Sequence, residues 1–302
     1  MAMLKPLRAS EIAKICSSQL IGADFLVAGA CTLDNPRSSA ICFAMRWSAE
    51  IGDAIAAVED VLLLVADEEV DSYSCSRIPV SNPRQAFAKA ITAMLGRPLS
   101  GIAKSASIHP TAKIAQNVVI GENVVVGADS SIGEYTELRP NVVIGSSVRI
   151  GSNCLVKSCS VIGQEGFGIS LDEEGNNLRI PHIGGVQIGN FVEIGALNTV
   201  CAGTIDPTII EDHVKTDDHV HIGHNVYIGE NCLVTACSEI SGSVTIGRRS
   251  WLGPNCSVIN GIEIGSGVFI GLAAVVIESL PDRAVAAGSP ARILRISDRD
   301  AV

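Results

Sequence analysis

Aliphatic residues recur at every sixth position over most of the chain. Neither the period of two of an exposed strand nor the 3.6-residue period of a helix produces this spacing. A triangular coil does, with one short strand and one corner in each unit and three units in each turn of 18 residues. Two unbroken series carry the pattern: Ile108, Ile114, Ile120, Val126, Ile132, Leu138, Ile144, Ile150, Val156, Ile162; and Ile222, Ile228, Val234, Ile240, Ile246, Leu252, Val258, Ile264, Ile270, Val276. The pattern predicts a mostly β protein, with a parallel β-solenoid over residues 101–280 whose aliphatic side chains fill the interior.

Two further positions of the repeat have a restricted composition. Glycine often follows the aliphatic residue, as at Gly127 and Gly223, and a small or β-branched residue follows four positions after it, as at Val118 and Cys154. We expect the small residues to fit the tight inner edge of the coil. We expect the glycines to adopt corner dihedral angles that other residues avoid.

The six-residue register breaks twice. Ile162 and Ile188 are 26 residues apart, two more than a multiple of six, and the polar, glycine-rich residues 163–181 lie between them. Val200 and Ile210 are ten apart, so residues 201–209 contain four extra residues. Both segments are predicted to be loops that leave the coil, and loops on a rigid scaffold are where function concentrates.

Residues 1–100 do not keep the period and predict a small α/β domain. SEIAKI reads as the start of a capped helix, VEDVLLLVAD as a buried strand, and NPRQAFAKAITAMLG as a helix with Pro83 in its first turn. Residues 281–302 are predicted to form a turn and a short helix that cap the solenoid, because its open end needs covering.

Charge and cysteine content narrow the function classes. The net charge is −10 and no Lys/Arg run is present, which argues against nucleic-acid binding. The ten cysteines are scattered without a CxxC motif, as expected for reduced, buried thiols. No signal peptide and no apolar run of about 18 residues is found, so we expect a cytoplasmic protein without a transmembrane segment.

Four of the six histidines lie within residues 213–224. Eighteen residues after His224 comes Gly242, so coil geometry predicts an imidazole beside a backbone amide of the next coil. Such a pair suits acyl transfer, with the imidazole as general base and the amide as donor to the oxyanion. His213, His219 and His221 are expected at the solvent-facing surface or an interface. A metal site formed by His219, His221 and His224 is the alternative, although His224 lies beyond a corner glycine.

The motifs, taken in order, resemble those of a known family. The stretch KTDDHVHIGHNVYIGEN is similar to the signature coil of the UDP-3-O-(3-hydroxyacyl)glucosamine N-acyltransferases (LpxD). The stretches NPRQAFAKAI, VIGQEGFG, RIPHIGGVQIGNFVEIGA and SVINGIEIG also match, over nearly the whole chain. The resemblance implies a left-handed parallel β-helix and a homotrimer with active sites between subunits.

The resemblance also implies roles for individual residues. His224 would be the general base and the Gly242 amide the oxyanion donor, with Asn225 and Asp217 in support. The matching nucleotide-sugar contacts are Phe43 and Trp47, and Phe167 is a further candidate for substrate binding. No metal and no permanently bound cofactor are implied, only an acyl-thioester cosubstrate on acyl carrier protein or coenzyme A.

Departures from the family pattern leave more than one possible acyl donor and acceptor. The family's C-terminal helical extension is absent, and AAGSPARILR resembles the terminal turn of hexapeptide enzymes that use acetyl-CoA. Cys201 and Ala202 stand where the family has a charged Asp-Arg pair. One expectation is therefore transfer of a long 3-hydroxyacyl group to a UDP-linked amino sugar in lipid A synthesis. The alternative is transfer of an acetyl or short acyl group to a nucleotide amino sugar for O-antigen or capsule. A non-enzymatic trimeric scaffold or metal protein is the third hypothesis.

Overall fold

A computed structural model describes residues 4–46, 48–66, 75–96, 98 and 100–302. The chain divides into two compact units, residues 1–98 and 99–302. Each unit has a hydrophobic core of its own.

The first unit contains a four-stranded parallel sheet in the order β3-β4-β5-β6. Its described strands are β1 (Leu7–Arg8), β2 (Leu26–Val27), β3 (Gly29–Ala30), β4 (Ala40–Phe43), β5 (Val61–Val65) and β6 (Ser76–Pro79), and its described helices are α1 (Ala9–Ile15), α2 (Ala49–Ala56) and α3 (Pro83–Leu95). Strand β5 is buried throughout, as its unbroken apolar run predicts. Helix α3 begins where expected, because the Asn82 side chain accepts a hydrogen bond from the Gln85 N–H and Pro83 occupies the first turn.

The second unit is a solenoid with three sheet faces. The first face contains β7 (Gly101–Ile102), β10 (Val119–Ile120), β13 (Glu137–Leu138), β16 (Leu155–Val156), β21 (Glu193–Ile194), β24 (Lys215–Thr216), β27 (Leu233–Val234), β30 (Trp251–Leu252), β33 (Phe269–Ile270), β35 (Ala284–Ala287) and β36 (Arg292–Ile296). The second contains β8 (Ser107–Ile108), β11 (Val125–Val126), β14 (Val143–Ile144), β17 (Val161–Glu165), β22 (Thr199–Ala202), β25 (His221–Ile222), β28 (Glu239–Ile240), β31 (Ser257–Val258) and β34 (Val275–Val276). The third contains β9 (Lys113–Ile114), β12 (Ser131–Ile132), β15 (Val148–Ile150), β20 (Val186–Ile188), β23 (Thr208–Ile210), β26 (Tyr227–Ile228), β29 (Thr245–Ile246) and β32 (Glu263–Ile264).

Strand pairing confirms the predicted coil. Val119 pairs with Glu137, and His221 pairs with Glu239, each 18 positions along in a parallel register. The aliphatic positions from Ile120 to Val276 are buried inside the triangle. The periodic burial of these side chains is what holds the coils together.

The glycines have a different role from the one predicted. A Cβ added at Gly127 would lie 2.6 Å from the carbonyl carbon of Gly145, and one at Gly133 would lie 2.5 Å from that of Gly151. These glycines are required by the close approach of successive coils, and their φ angles are not positive. The left-handed corner conformation falls two residues later, often on asparagine, which tolerates it. Examples are Asn123, Asn141, Asn153, Asn231 and Asn255.

Both register breaks are loops, as predicted. Ile150 pairs with Ile188, 38 positions along instead of 18, and the extra residues extend β17 and form an antiparallel hairpin of β18 (Ile169–Leu171) and β19 (Asn177–Arg179). Thr199 pairs with His221, 22 positions along, which accommodates the four extra residues of the second insertion.

The predicted C-terminal helix is wrong. β35 continues the first face in parallel with β33, and β36 returns antiparallel along its other edge. A terminal strand exposes a row of unpaired backbone groups, and an antiparallel strand satisfies these groups whereas a helix does not. The cap of the solenoid is therefore a β-hairpin.

None of the helices in the described residues combines the length and the hydropathy needed to cross a bilayer.

Candidate active site

His224 lies at a corner of the solenoid, two residues after β25. Gly223, which precedes it, is required there, because a Cβ at this position would lie 2.6 Å from the Gly242 nitrogen. Gly242 occupies the same corner of the next coil. A Cβ at Gly242 would lie 2.6 Å from His224 Nε2, so the absence of a side chain leaves room for the imidazole. The structure thus brings together the two groups that the 18-residue spacing predicts.

The amide of Asn225 determines the tautomer of His224. Asn225 Oδ1 accepts hydrogen bonds from the N–H and hydroxyl of Thr204, at 3.1 and 2.9 Å, while Nδ2 donates to the Asp206 carbonyl at 3.0 Å. The oxygen of this amide therefore faces His224 Nδ1, 3.0 Å away, and Nδ1 must be the donor. In the neutral ring the lone pair is then on Nε2, the nitrogen beside Gly242, as a general base requires.

The backbone N–H of Gly242 is available to a ligand. Its neighbours are occupied, because the Ser241 N–H donates to the Val258 carbonyl and the Ser243 N–H to the His224 carbonyl. The Gly242 N–H has no hydrogen-bond partner within the residues that the structure describes. A lone pair and a free amide donor therefore face the same space.

That space is a cavity of about 610 Å³. The first insertion supplies part of its wall, including an ion pair between Arg179 Nη1 and Glu165 at 3.8 Å. The second insertion supplies Cys201, whose pKa is raised by burial. The cavity is lined by Glu165, Gly166, Phe167, Arg179, Cys201, His221, Gly223, His224, Glu239, Ser241, Gly242, Ser243 and Asn260.

The remaining predicted site residues do not all lie at the cavity. Phe167 lines the cavity and is 84% exposed. Asp217 does not line it, and its carboxylate accepts a hydrogen bond from the adjacent Asp218 N–H, so the expected support of His224 comes from Asn225. Phe43 ends β4 with its ring 4.9 Å from that of Phe87, and Trp47 lies outside the described residues. The nucleotide-sugar contacts at Phe43 and Trp47 stay predictions.

His213 and His219 are exposed, as expected, whereas His221 is partly buried beside His224 instead of facing solvent. His213 and His219 occupy left-handed corners at φ 62° and 61°, and the His213 ring stacks on Phe191. His221 lines the cavity, with Nδ1 2.6 Å from the Thr199 hydroxyl. Over the described ranges no cluster of three or more His, Cys, Asp or Glu side chains is arranged to hold a metal ion.

One residue of the site escaped sequence reasoning. His182, where the first insertion returns to the coil, places its ring centroid 5.0 Å from that of His224 in an edge-on arrangement. The register break identifies the insertion. The 42-residue separation of the two histidines, however, is not a multiple of the 18-residue coil, so the repeat does not predict that they meet.

Known proteins share the repeat and much of the sequence of this chain. A family model described as "Bacterial transferase hexapeptide (six repeats)" matches residues 129–164 and 207–242. A UDP-3-O-acylglucosamine N-acyltransferase from Campylobacter lari is 34% identical over 252 residues, which cover 78% of this chain and 78% of the relative. The chain belongs to the UDP-3-O-acylglucosamine N-acyltransferase family. Another member, from Herminiimonas arsenicoxydans, is 31% identical over 263 residues, covering 78% of this chain and 74% of its own. This chain is accordingly an acyltransferase.

Solved structures related to this family agree with the fold. LpxA from Acinetobacter baumannii superposes with a TM-score of 0.60 and 27% identity, covering 65% of this chain and 74% of its own. A UDP-N-acetylglucosamine acyltransferase from Francisella novicida gives the same TM-score and identity and covers 65% of this chain and 70% of its own. The solenoid is therefore a left-handed β-helix of the LpxA type, as the sequence resemblance implies.

Proposed function

We propose that this chain transfers an acyl group from a thioester donor to the amine of a UDP-linked glucosamine. The names of its relatives describe N-acylation of a UDP-3-O-acylglucosamine for them. The observation that carries the proposal is that the His224 Nε2 lone pair and the free N–H of Gly242 lie next to each other at one corner of the cavity. General base and oxyanion donor are the two groups that aminolysis of a thioester needs.

The reaction balances with these two groups. The sugar amine attacks the thioester carbonyl carbon, and a C–N bond forms while His224 Nε2 accepts a proton from the nitrogen. The Gly242 N–H donates to the oxyanion of the tetrahedral intermediate. Collapse of the intermediate breaks the C–S bond, and the imidazolium returns its proton to the leaving thiolate. The products are an amide and a free thiol.

Other corners of the solenoid support the role of the Gly242 amide. At the equivalent position of other units, the backbone N–H donates to a carboxylate oxygen of the following coil. The Asn190, Ala196 and Ser266 amides donate to Asp212, Asp218 and Asp282 at 2.6, 2.7 and 2.8 Å. The corner amide is thus oriented to bind an oxygen acceptor, and at Gly242 that position is open to substrate.

A short acyl-CoA is a second candidate for the acyl donor. The cavity wall that this chain supplies carries Glu239, Ser241, Ser243 and Asn260, all polar. A long alkyl chain against this wall would desolvate these groups without hydrogen-bonding them, which is unfavourable. This polarity favours an acetyl or short acyl-CoA donor over a long acyl chain on carrier protein.

A donor and acceptor screen by mass spectrometry tests the proposal. Acetyl-CoA and 3-hydroxyacyl-carrier protein are each incubated with UDP-glucosamine and its 3-O-acylated form. We expect one pair to give the acyl mass increment on the sugar nitrogen. We expect His224→Ala to lower kcat by about a thousandfold, within the range for loss of a general base. Failure of every amino-sugar nucleotide to be acylated contradicts the proposal.

A further inference from the structure

His182 is a buried histidine with an unsatisfied nitrogen. Its side chain is only 7% exposed, and Nε2 has no hydrogen-bond partner in the part of the chain that the structure describes. Its Nδ1 is 2.8 Å from the Ile180 carbonyl, which can only accept. Nδ1 is therefore the donor, and in the neutral ring Nε2 carries a lone pair. A buried acceptor without a partner destabilises the fold, so its presence calls for an explanation.

That lone pair lies beside the catalytic imidazole. The position that a Gly166 Cβ would occupy is 3.1 Å from His182 Nε2 and 3.0 Å from His224 Cδ2. Cδ2 is bonded to Nε2 of His224, the atom that takes the proton. The two rings meet at an interplanar angle of 66° with their centroids 5.0 Å apart, an edge-on geometry that aromatic pairs favour.

The first insertion is shaped to allow this contact. Any side chain at Gly166 would enter the space between the two imidazoles, because its Cβ would also lie 2.9 Å from His224 Cβ. A Cβ at Gly168 would lie 2.7 Å from His182 Cε1. Two glycines on either side of Phe167 thus let the backbone pass over both rings.

We infer that His182 is a positioning residue for His224. Its ring fixes the plane of the catalytic imidazole, and its Nε2 lone pair favours the imidazolium that forms when His224 accepts the substrate proton. The lone pair has no effect of this kind on the neutral ring. The contact therefore stabilises the transition state more than the ground state, and its loss lowers kcat rather than raising KM. The inference rests on the proposed function of His224 as general base.

Other polar and ionisable groups also face His224, so the test must separate their effects from that of His182. They come from β17, β19, β22, β25 and β28 and are Glu165, Arg179, Cys201, His221 and Glu239. All of them are left unchanged in the variants below.

A matched pair of variants tests the inference by steady-state kinetics. His182→Leu removes both ring and lone pair, and His182→Gln keeps a terminal acceptor at similar length. We expect His182→Leu to lower kcat about tenfold, equivalent to about 1.4 kcal/mol, with KM nearly unchanged. His182→Gln should recover most of the activity, and His219→Asn, at an exposed corner, should match the wild type.

Nitrogen NMR of histidine-labelled wild-type protein gives a readout that needs neither activity nor a variant that folds. We expect His182 to show a protonated Nδ1 and an unprotonated Nε2 at neutral pH. A protonated Nε2, or a folded His182→Leu variant with wild-type kcat, overturns the inference. Absence of acyl transfer by the wild type would instead count against the proposed function and would leave the NMR result standing.

Discussion

At the scale of single residues, the site depends on the absence of a side chain at Gly242. Its missing side chain admits the His224 ring, and its unpaired N–H faces the same cavity. We predict that Gly242→Ala lowers kcat about a hundredfold, because a Cβ 2.6 Å from Nε2 displaces the imidazole from its position. Gly101→Ala is the control, since nothing lies within 4 Å of a Cβ there. Equal kcat values for the two variants, measured with the acylation assay, would contradict the assignment.

Asn225 offers a second test at this scale. Its Oδ1 accepts from His224 Nδ1 and holds Thr204 of the second insertion. We predict that Asn225→Ala lowers kcat about tenfold, because the imidazole is no longer held in the tautomer with a free Nε2. Asn231→Ala carries the same backbone strain, at φ 60° against 58°, but within the described residues the Asn231 side chain hydrogen-bonds only to Glu230. Loss of activity in Asn225→Ala alone would exclude backbone strain at the corner as the cause and would assign the effect to the hydrogen bonds of the Asn225 amide.

At the scale of the repeat, hydrophobic spacing predicted the register but not the reason for the glycines. Every sixth side chain points into the coil, and residues 18 positions apart lie on the same face of successive coils. The pairing of Val126 with Ile144 therefore follows from their separation alone. The distance between Gly133 and the Gly151 backbone is a property of stacked coils and leaves no periodic signal apart from the glycine itself. The left-handed corner residues were missed for the same reason, since Asn, Ser, Tyr and Arg all occupy them.

The close approach of coils makes a stability prediction. Gly133→Ala should lower the free energy of unfolding by about 1–3 kcal/mol, because the new Cβ overlaps the backbone of the next coil. Gly101→Ala, in the first coil, should be neutral. Denaturant titration of both variants checks this, and equal midpoints would mean that the coils can separate without cost.

Cysteines at the inner edge of the coils should be protected by the same packing. Burial raises the pKa of Cys232 to about 11 and also raises that of Cys256, so little reactive thiolate forms near neutral pH. Cys159 and Cys237 are exposed. We predict that a thiol reagent at pH 8 modifies Cys159 and Cys237 in the native protein, and Cys232 and Cys256 only after unfolding. Peptide mapping by mass spectrometry locates the label, and native labelling of Cys232 would contradict the packing described.

At the scale of the whole molecule, the sequence predicted both insertions and one cavity residue within them, Phe167, but it did not predict the contact of His182 with His224. The coil spacing relates His224 to Gly242 because both belong to the repeat. The contacts of His182 and Asn225 depend on the insertions, whose paths are set by contacts such as the Asn225 hydrogen bonds to Thr204 and Asp206. Such contacts join residues at irregular spacing, so no periodic pattern predicts them.

The insertions also present an exposed apolar pair that argues for self-association. Ile183 and Ile205 are each 76% exposed and lie side by side, because the Ile183 N–H donates to the Thr204 carbonyl. Adjacent exposed apolar side chains can contribute to a contiguous apolar patch that a partner covers, and the sequence resemblance implies a homotrimer. We predict that light scattering gives about three times the 31.5 kDa chain mass.

A charged pair of substitutions then tests whether the insertions form that contact. Ile183→Asp together with Ile205→Asp should shift the protein toward monomer and lower kcat, because burying two carboxylates without partners is strongly unfavourable. Leu294→Asp, 65% exposed on the terminal strand β36, is the control and should stay trimeric. A wild-type monomer with full activity would rule out the shared site. A trimer that survives the double substitution but not Leu294→Asp would place the interface at the terminal hairpin rather than at the insertions.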